Sequence, residues 1–584
     1  MSLPKYAVRA ALIWLVPIVL LICRSTLWLP IVLSIGLTLV ESPGVRKRIF
    51  GSKSRKQLPC LKVPVLIRLA ILWIVQVWCF VLMRTGDASD ADSLSLEGVD
   101  APSDRLRTMS VVLPCAGEGE YAFKTVRSVF DSTPTDILKE IVVVDDGSDP
   151  PLSETVLNKD VRDKYRVKLL RHESTVGLIG SKKDGGDAAT GDIIVFFDCH
   201  VAPQRGWYSA FIRLINDNRR RIVVPMITDL NVDTWRQRSF SHGVSKCYLT
   251  WDADFKWFQS DDPYVPVLSG GLLGMSKQWW RESGGYDEQM RSWGGENIDQ
   301  SLRTWLCGGE IVIARESSVA HMWRRMDDER THAHYSVEAR AATKNRLRAA
   351  VAWYGEFAEK LLDYPSLKAG AKDNNGNPWF GDLTNILKIK DDLGCHDFGW
   401  FLHRFSDVYE LGGLVPNETF QLRVAGGSKC IAFKGGAGTA NTGRGTAKLE
   451  DCDPQSDRQR WHVANRDPSK AGAPCCSGLR AWNTDQCMTK VSGGHILTYI
   501  CDISGKTSDQ FWDMTPQGQL FLRKAGFLQA SCLQVASDGL EVAKCKPKDA
   551  PPTWIKGDPV APIESRLFAK YLDEAKTSKE ATDE

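Results

Sequence analysis

Between residues 109 and 200 the sequence alternates apolar runs with amphipathic ones, and this alternation limits the fold more than any other feature. MSVVLPC (109–115), KEIVVVDDGSD (139–149), YRVKLLRH (165–172) and DIIVFFDCH (192–200) read as strands, while EYAFKTVRSVFDS (120–132) and SKKDGGDAATG (181–191) read as helices. Strands separated by helices at this spacing predict a parallel sheet in a doubly wound α/β domain. The near-continuous apolar cores IVVV and IIVFF suit a sheet covered on both faces. Ligands of such sheets bind beyond the carboxyl ends of the strands. Two of these strands end in acids, at Asp145 with Asp146 and at Asp198 with His200.

In extended chain, positions i and i+2 share a face, so Asp198 and His200 point the same way and Cys199 points back into the core. An Asp-x-His pair can clamp one divalent cation, and an oxygen-plus-imidazole set suits Mn²⁺, with Mg²⁺ second. A strand-end acid that merely caps a turn is the commoner meaning of such a short motif. The stretch RSWGGENIDQSLRTWLCGGEIVIARESSVAHMWRR (291–325) shifts the balance. Gly294 and Gly295 allow close backbone approach to a ligand. Glu296 and Asn297 then open an amphipathic helix with Ile298, Leu302 and Trp305 inward. The strand EIVIA leads on to His321, a third ligand for the clamp, and to Arg324, whose fork matches phosphate oxygens.

The rest of the chain divides by composition. Residues 10–40 and 61–83 are apolar runs, and a spanning helix needs ~20 such residues. The basic segment between them (Arg46, Lys47, Arg48, Lys53, Arg55, Lys56) stays cytoplasmic by the positive-inside rule, which places the chain beyond residue 84 on the lumenal side. The number of spans is left open. Thirteen of the sixteen cysteines lie past residue 84, and Cys430/Cys452, Cys487/Cys501 and Cys532/Cys545 are spaced as disulfides of an oxidising compartment. Asn417-Glu418-Thr419 is a glycosylation sequon. Residues 84–106 are rich in Asp, Ser and Ala and form a flexible stem. Beyond 415, Trp461, Trp512 and Trp554 follow the three cysteine pairs at a period of roughly 40–50 residues, as in a three-lobed all-β unit with one tryptophan per lobe in a shared core. A formal charge of +3, with basic residues spread evenly, gives no footprint for nucleic acid.

DCH (198–200), LSGGLLGM (268–275), WGGENIDQSLRTWLCGG (293–309) and SVAHMWR (318–324) together resemble the polypeptide N-acetylgalactosaminyltransferases over roughly residues 105–560. The resemblance implies a membrane anchor region at 1–83, a stem at 84–106, a GT-A (Rossmann-like) catalytic domain at 107–410, an all-β ricin-type β-trefoil lectin domain at 415–558 and a charged tail at 559–584 that frays. It implies Mn²⁺ held by Asp198, His200 and His321, with UDP-GalNAc bridging through its diphosphate. Asp146, with Asp145, would meet the uridine. Lys182 would serve as a donor-binding cation, and Arg324 would neutralise the diphosphate. Gly270 and Gly271 would line the cleft, Trp293 would ride on a loop over it, and Glu296 and Asn297 would orient the sugar or the acceptor hydroxyl. The family transfers GalNAc to Ser or Thr of proteins or glycopeptides with retention, from a Golgi membrane with lumenal catalytic and lectin domains. It also implies a Cys307–Cys395 disulfide.

Departures from the family mark where the resemblance thins. LPCAGEGE (113–120) replaces an FHNE-like segment, with Glu118 as the nearest equivalent. GLIGSK (177–182) leaves Lys182 for one of two basic positions, and Glu316 stands where cysteine is usual. The lectin triplets Cys430-Ile-Ala, Cys487-Met-Thr and Cys532-Leu-Gln lack the sugar-binding acid. These departures keep two alternatives in play: a catalytically impaired, membrane-anchored lectin-like protein, or a transferase using another UDP-sugar. A processive polysaccharide synthase would need later spans and a QxxRW motif, and only DRQRW (457–461) approaches it.

Overall fold

The computed structural model describes residues 105–584 apart from 239–242, 333–336, 436–444, 464–477, 504–506, 523–530, 538, 548–549 and 581–584. The apolar runs 10–40 and 61–83 and the stem through residue 104 lie outside the described residues. Among the described residues no helix is long and apolar enough to cross a membrane.

The main sheet contains β1 (Met109–Cys115), β2 (Leu138–Asp146), β3 (Val167–His172), β4 (Ile193–Phe196), β5 (Val201–Pro203), β6 (Arg221–Asn231), β7 (Arg236–Gln237), β10 (Leu273–Ser276) and β11 (Glu310–His321). Strands β8 (Ser245–Leu249) and β9 (Phe255–Gln259) form a separate hairpin. The helices are α1 (Glu120–Ser132), α2 (Lys159–Tyr165), α3 (Leu178–Ala188), α4 (Trp207–Asp217), α5 (Lys277–Glu282), α6 (Glu296–Leu306), α7 (Ala341–Trp353), α8 (Thr384–Asp392), α9 (Phe398–Arg404), α10 (Ser406–Tyr409) and α11 (Ile563–Glu580). Strand order is β3-β2-β1-β4-β10-β6-β11-β5, with β7 beside β6. The first four strands are parallel, as the sequence predicts. The sheet as a whole is mixed: β10 runs antiparallel to β4 and β6, and β5 antiparallel to β11. The chain enters β10 from the β8–β9 hairpin instead of a crossover helix, so nothing forces that strand to run with its neighbours.

The period of two shows in the packing. Val111, Leu113, Val143, Val195 and Phe197 join one core with Val126 of α1 and Phe211 of α4. Val112, Val142, Val144, Ile194 and Phe196 join the other with Ile179 of α3 and Leu302 of α6. Helix α6 departs from the amphipathic reading, because all eleven of its residues are buried. Its Asp299–Arg303 pair is satisfied inside the fold. Asp299 pairs with Arg303 and accepts from Trp353 Nε1 at 2.8 Å, and Arg303 also donates to the carbonyls of Ser283 and Gly285.

From Phe420 the chain is a β-rich region of three similar hairpins. Disulfides Cys430–Cys452, Cys487–Cys501 and Cys532–Cys545 staple them, and Cys307–Cys395 closes the carboxyl end of α6 onto the turn before α9. Trp461, Trp512 and Trp554 are buried together. Each donates Nε1 at 2.9 Å to the carbonyl of the residue that follows a hairpin's first cysteine: Ile431, Met488 and Leu533. The tryptophans are thus internal struts. The DRQRW segment sits in this region, with Trp461 at its centre, which removes the synthase reading.

Of the charged tail expected at 559–584, the described part carries a packed helix. Through α11 it docks on α9, with Phe568 buried and the Tyr571 ring against Gly399, which has no room for a Cβ. Leu567, Phe568, Tyr571 and Leu572 recur along one face, an apolar stripe hidden among the charges. At the junction Lys360, itself buried, lies 2.9 Å from Glu564 of α11 and 3.0 Å from Asp363, and donates to Asn483 of the second hairpin unit. The ring of Trp482 stands 4.5 Å from the same ammonium, and its Nε1 donates to Glu564 at 3.1 Å. Removing one partner of a buried ion pair strands the other, so Lys360→Ala should cost about 3 kcal/mol of stability. A lower thermal midpoint together with protease cleavage within 563–580 would be the signature; an unchanged midpoint would refute the node's importance.

Candidate active site

The expected clamp is assembled by main-chain register. Strand β4 ends at Phe196, so Asp198 and His200 lie in the connection to β5 and not within a strand. The β5–β11 ladder pairs Val201 with His321, which sets His200 beside the last residue of β11. His321 Nε2 is 3.0 Å from Asp198 Oδ2, and the two imidazole centroids are 5.0 Å apart. Candidate ligand atoms of Asp198, His200 and His321 all lie within 4.8 Å of one another, a spacing that one divalent cation bridges. Cys199 is bonded to Cys115, a disulfide not foreseen from the sequence, so no thiolate enters the donor set. One carboxylate and two imidazoles fit Mn²⁺, or with less nitrogen preference Mg²⁺. Burial opposes ionisation of Asp198, but the hydrogen bond with His321 and the charges of His321, His200 and Lys182 outweigh it, holding the carboxyl well below its usual range.

Around the clamp the walls are close. An ideal Cβ on Gly271 would stand 2.5 Å from Asp198 Oδ2, so any side chain there pushes the carboxylate aside. Lys182 is buried and donates to the Gly270 carbonyl at 2.7 Å, with Glu296 Oε1 at 3.4 Å. Glu296 is buried in the first turn of α6, and among the described residues its Oε2 has no hydrogen-bond partner. Asn297 spends its amide on the Leu268 carbonyl at 2.8 Å and so braces the bend that carries the two glycines ahead of β10. Gly295, at φ 92°, caps α6 where a Cβ would meet backbone of Asn345 and Arg346 at 2.7 Å. Arg324 donates to Glu118 and, at 3.0 Å, to the His332 carbonyl. Glu118 in turn lies 3.2 Å from His200 Nδ1.

Asp146, Lys182, Asp198, His200, Gly270, Gly271, Trp293, Glu296, Asn297, His321 and Arg324 all line one cavity of about 1000 Å³. Asp145 does not. It is fully buried, paired with Arg171 at 2.7 Å and accepting from the Leu152 amide, so its expected contact with a nucleoside is corrected to a structural role. Asp146 accepts from Thr175 Oγ1, Val176 N and Gly177 N at 2.7–2.9 Å, fixing the loop ahead of α3. Burial opposes its ionisation and these hydrogen bonds prevail, lowering its pKa. Sequence reasoning missed Trp257, Trp323 and Arg346 on the cavity wall, and Ile500, which comes from the β-rich region. Trp257, Trp293 and Trp323 are exposed at its mouth. No local pattern marks Ile500; only the docking of the second hairpin brings it there.

Residues 110–284 match the model of glycosyl transferase family 2, and residues 258–324 that of the N-terminal domain of galactosyltransferase. The chain is a glycosyltransferase related to the polypeptide N-acetylgalactosaminyltransferases. It is 28% identical over 473 residues to human polypeptide N-acetylgalactosaminyltransferase 6, covering 77% of this chain and 72% of that one. With polypeptide N-acetylgalactosaminyltransferase 4 of Caenorhabditis elegans the identity is 31% over 365 residues, 60% of this chain and 59% of the relative. A crystal structure of GalNAc-T7 with UDP, GalNAc and Mn2+ aligns at 22% identity and TM-score 0.49, covering 78% of this glycosyltransferase and 82% of that chain. Gly271→Ala in this glycosyltransferase should displace the Asp198 carboxylate and weaken Mn²⁺ binding at least about tenfold, with the fold retained. Calorimetric titration of Mn²⁺ into the folded variant checks this; parental affinity would contradict it.

Proposed function

We propose that this enzyme transfers GalNAc from UDP-GalNAc to Ser or Thr hydroxyls of proteins with retention of configuration, using Mn²⁺. The observation that carries the reading is the convergence of Asp198, His200, His321, Arg324 and Glu296 on one cavity. When bound by the first three, a divalent cation supplies positive charge to the departing diphosphate. Arg324, held by Glu118 and the His332 carbonyl, presents a fixed guanidinium toward the same space. Lys182 keeps its ammonium between Gly270 and Glu296, where it steadies the glycine wall and the buried carboxylate. Glu296 Oε2, without a hydrogen-bond partner among the described residues, accepts a hydrogen bond from a sugar or acceptor hydroxyl. The proton of the attacking hydroxyl passes to the leaving phosphate oxygen. Trp257, Trp293 and Trp323 exclude water at the mouth.

The β-rich region is read as a ricin-type β-trefoil whose role here is architectural. Thr489, where a sugar-binding acid would stand, is buried and bonded to Gln510 at 3.1 Å. The domain limits 107–410 and 415–558 follow from this reading, with α11 added to the catalytic side in place of a tail. A Golgi membrane location with a lumenal enzyme, anchored by 1–83 through the 84–106 stem, completes the proposal.

Residues 85–584 should transfer GalNAc, in preference to GlcNAc, galactose or glucose from their UDP donors, to Ser/Thr peptides or glycopeptides. Chelation should stop the reaction, Mn²⁺ restore it, and Asp198→Ala lower the rate at least about a hundredfold. Transfer that persists in chelator, or preference for another UDP-sugar, would overturn the metal or the donor assignment respectively; a well-folded protein inert with every donor would favour the lectin-like alternative.

A further inference from the structure

We propose that the end of β1 positions the cation clamp: Glu118 orients His200 through Nδ1, and the Cys115–Cys199 bond fixes β1 against the segment that carries both Asp198 and His200. The inference rests on the cation reading of Asp198, His200 and His321. Strands β1 and β4 pair in parallel with a constant offset, Met109 with Ile193 and Val112 with Phe196, a difference of 84 in each case. Cys115 and Cys199 are also 84 residues apart. The disulfide therefore joins facing positions of the same register, beyond the point where main-chain pairing stops at Phe196. Phe197 makes one last amide bond to the Val112 carbonyl at 3.1 Å. The covalent bond then carries the alignment through residue 199, between two of the three candidate ligands.

Three residues past Cys115, Glu118 is buried and holds two partners at once, Arg324 and, at 3.2 Å, His200 Nδ1. A carboxylate at Nδ1 keeps the proton on that nitrogen and leaves the Nε2 lone pair for a cation, and it fixes the plane of the ring. Among the described residues His321 Nδ1 has no hydrogen-bond partner, and that ring is held through Nε2 by Asp198. The orientation of the His200 ring thus depends on Glu118. The same carboxylate ties the ligand to the arginine that faces the diphosphate.

The test is Mn²⁺ affinity of the full chain without nucleotide, read from the electron paramagnetic resonance of free Mn²⁺, with folding followed by circular dichroism. Glu118→Ala should raise the Mn²⁺ Kd about tenfold, and Glu118→Gln, whose amide oxygen still accepts from Nδ1, should recover most of that loss. The paired substitution C115S/C199S should raise the Kd severalfold in folded protein. A Kd within twofold of the parent in folded Glu118→Ala would overturn the inference. Should that variant not fold, Glu118→Asp, with an arm too short to reach Nδ1, decides by the same criterion. An unchanged Kd in C115S/C199S would overturn the disulfide's part. A parent that binds no Mn²⁺ would instead overturn the cation site itself, and this inference with it.

Discussion

Three residue pairs between β5 and β11 set the geometry on which the catalytic half depends: Pro203 with Val319, Ala202 with Ala320 and Val201 with His321. A slip of one residue would turn every side chain of this short ladder to the opposite face. His321 would then leave Asp198, and Arg324 would leave Glu118. The ladder is protected because β11 is also paired along most of its length with β6, which fixes its position independently of the three pairs with β5. The irregularity between Ala314 and Ser318 lets the outer end of β11 bend to meet both strands.

Helix α6 shows how much the fold concedes to the site. A wholly buried helix carrying Glu296, Asp299 and Arg303 is expensive, since charges taken out of water must be paired within the fold. Asp299 and Arg303 meet that condition through each other, Trp353 and two carbonyls. Glu296 meets it only in part, with one oxygen near Lys182 and the other without a hydrogen bond among the described residues. An incompletely satisfied buried carboxylate beside a large cavity is the kind of local cost that folds carry where a ligand completes the bonding.

Much of the catalytic half was legible because its signals are local. Apolar runs ending in acids gave the strands and their business end, and residues two apart gave the shared face of Asp198 and His200. What escaped was whatever depended on pairing across the sheet. The β1–β4 register links Cys115 to Cys199 although nothing near either cysteine shows it. Asp145 and Asp146 look equivalent in sequence, yet alternation sends one into the core against Arg171 and the other to the cavity rim. The antiparallel entry of β10 and the burial of α6 on every side follow from what the rest of the chain stacks against them. In the β-rich region the cysteine spacings gave the three disulfides and the tryptophans their shared core, but the charged composition of the last segment masked the apolar stripe of α11.

The placement of α11 has a consequence for the order in which the molecule is completed. Its docking surface on α9 and its contact with the second hairpin unit both belong to earlier parts of the chain, so the two bodies emerge from the ribosome before the wedge that joins them exists. Glu564 then joins Lys360 and Trp482, which lie on those two surfaces. Closure of the seam around Lys360 therefore follows the synthesis of both surfaces that α11 joins.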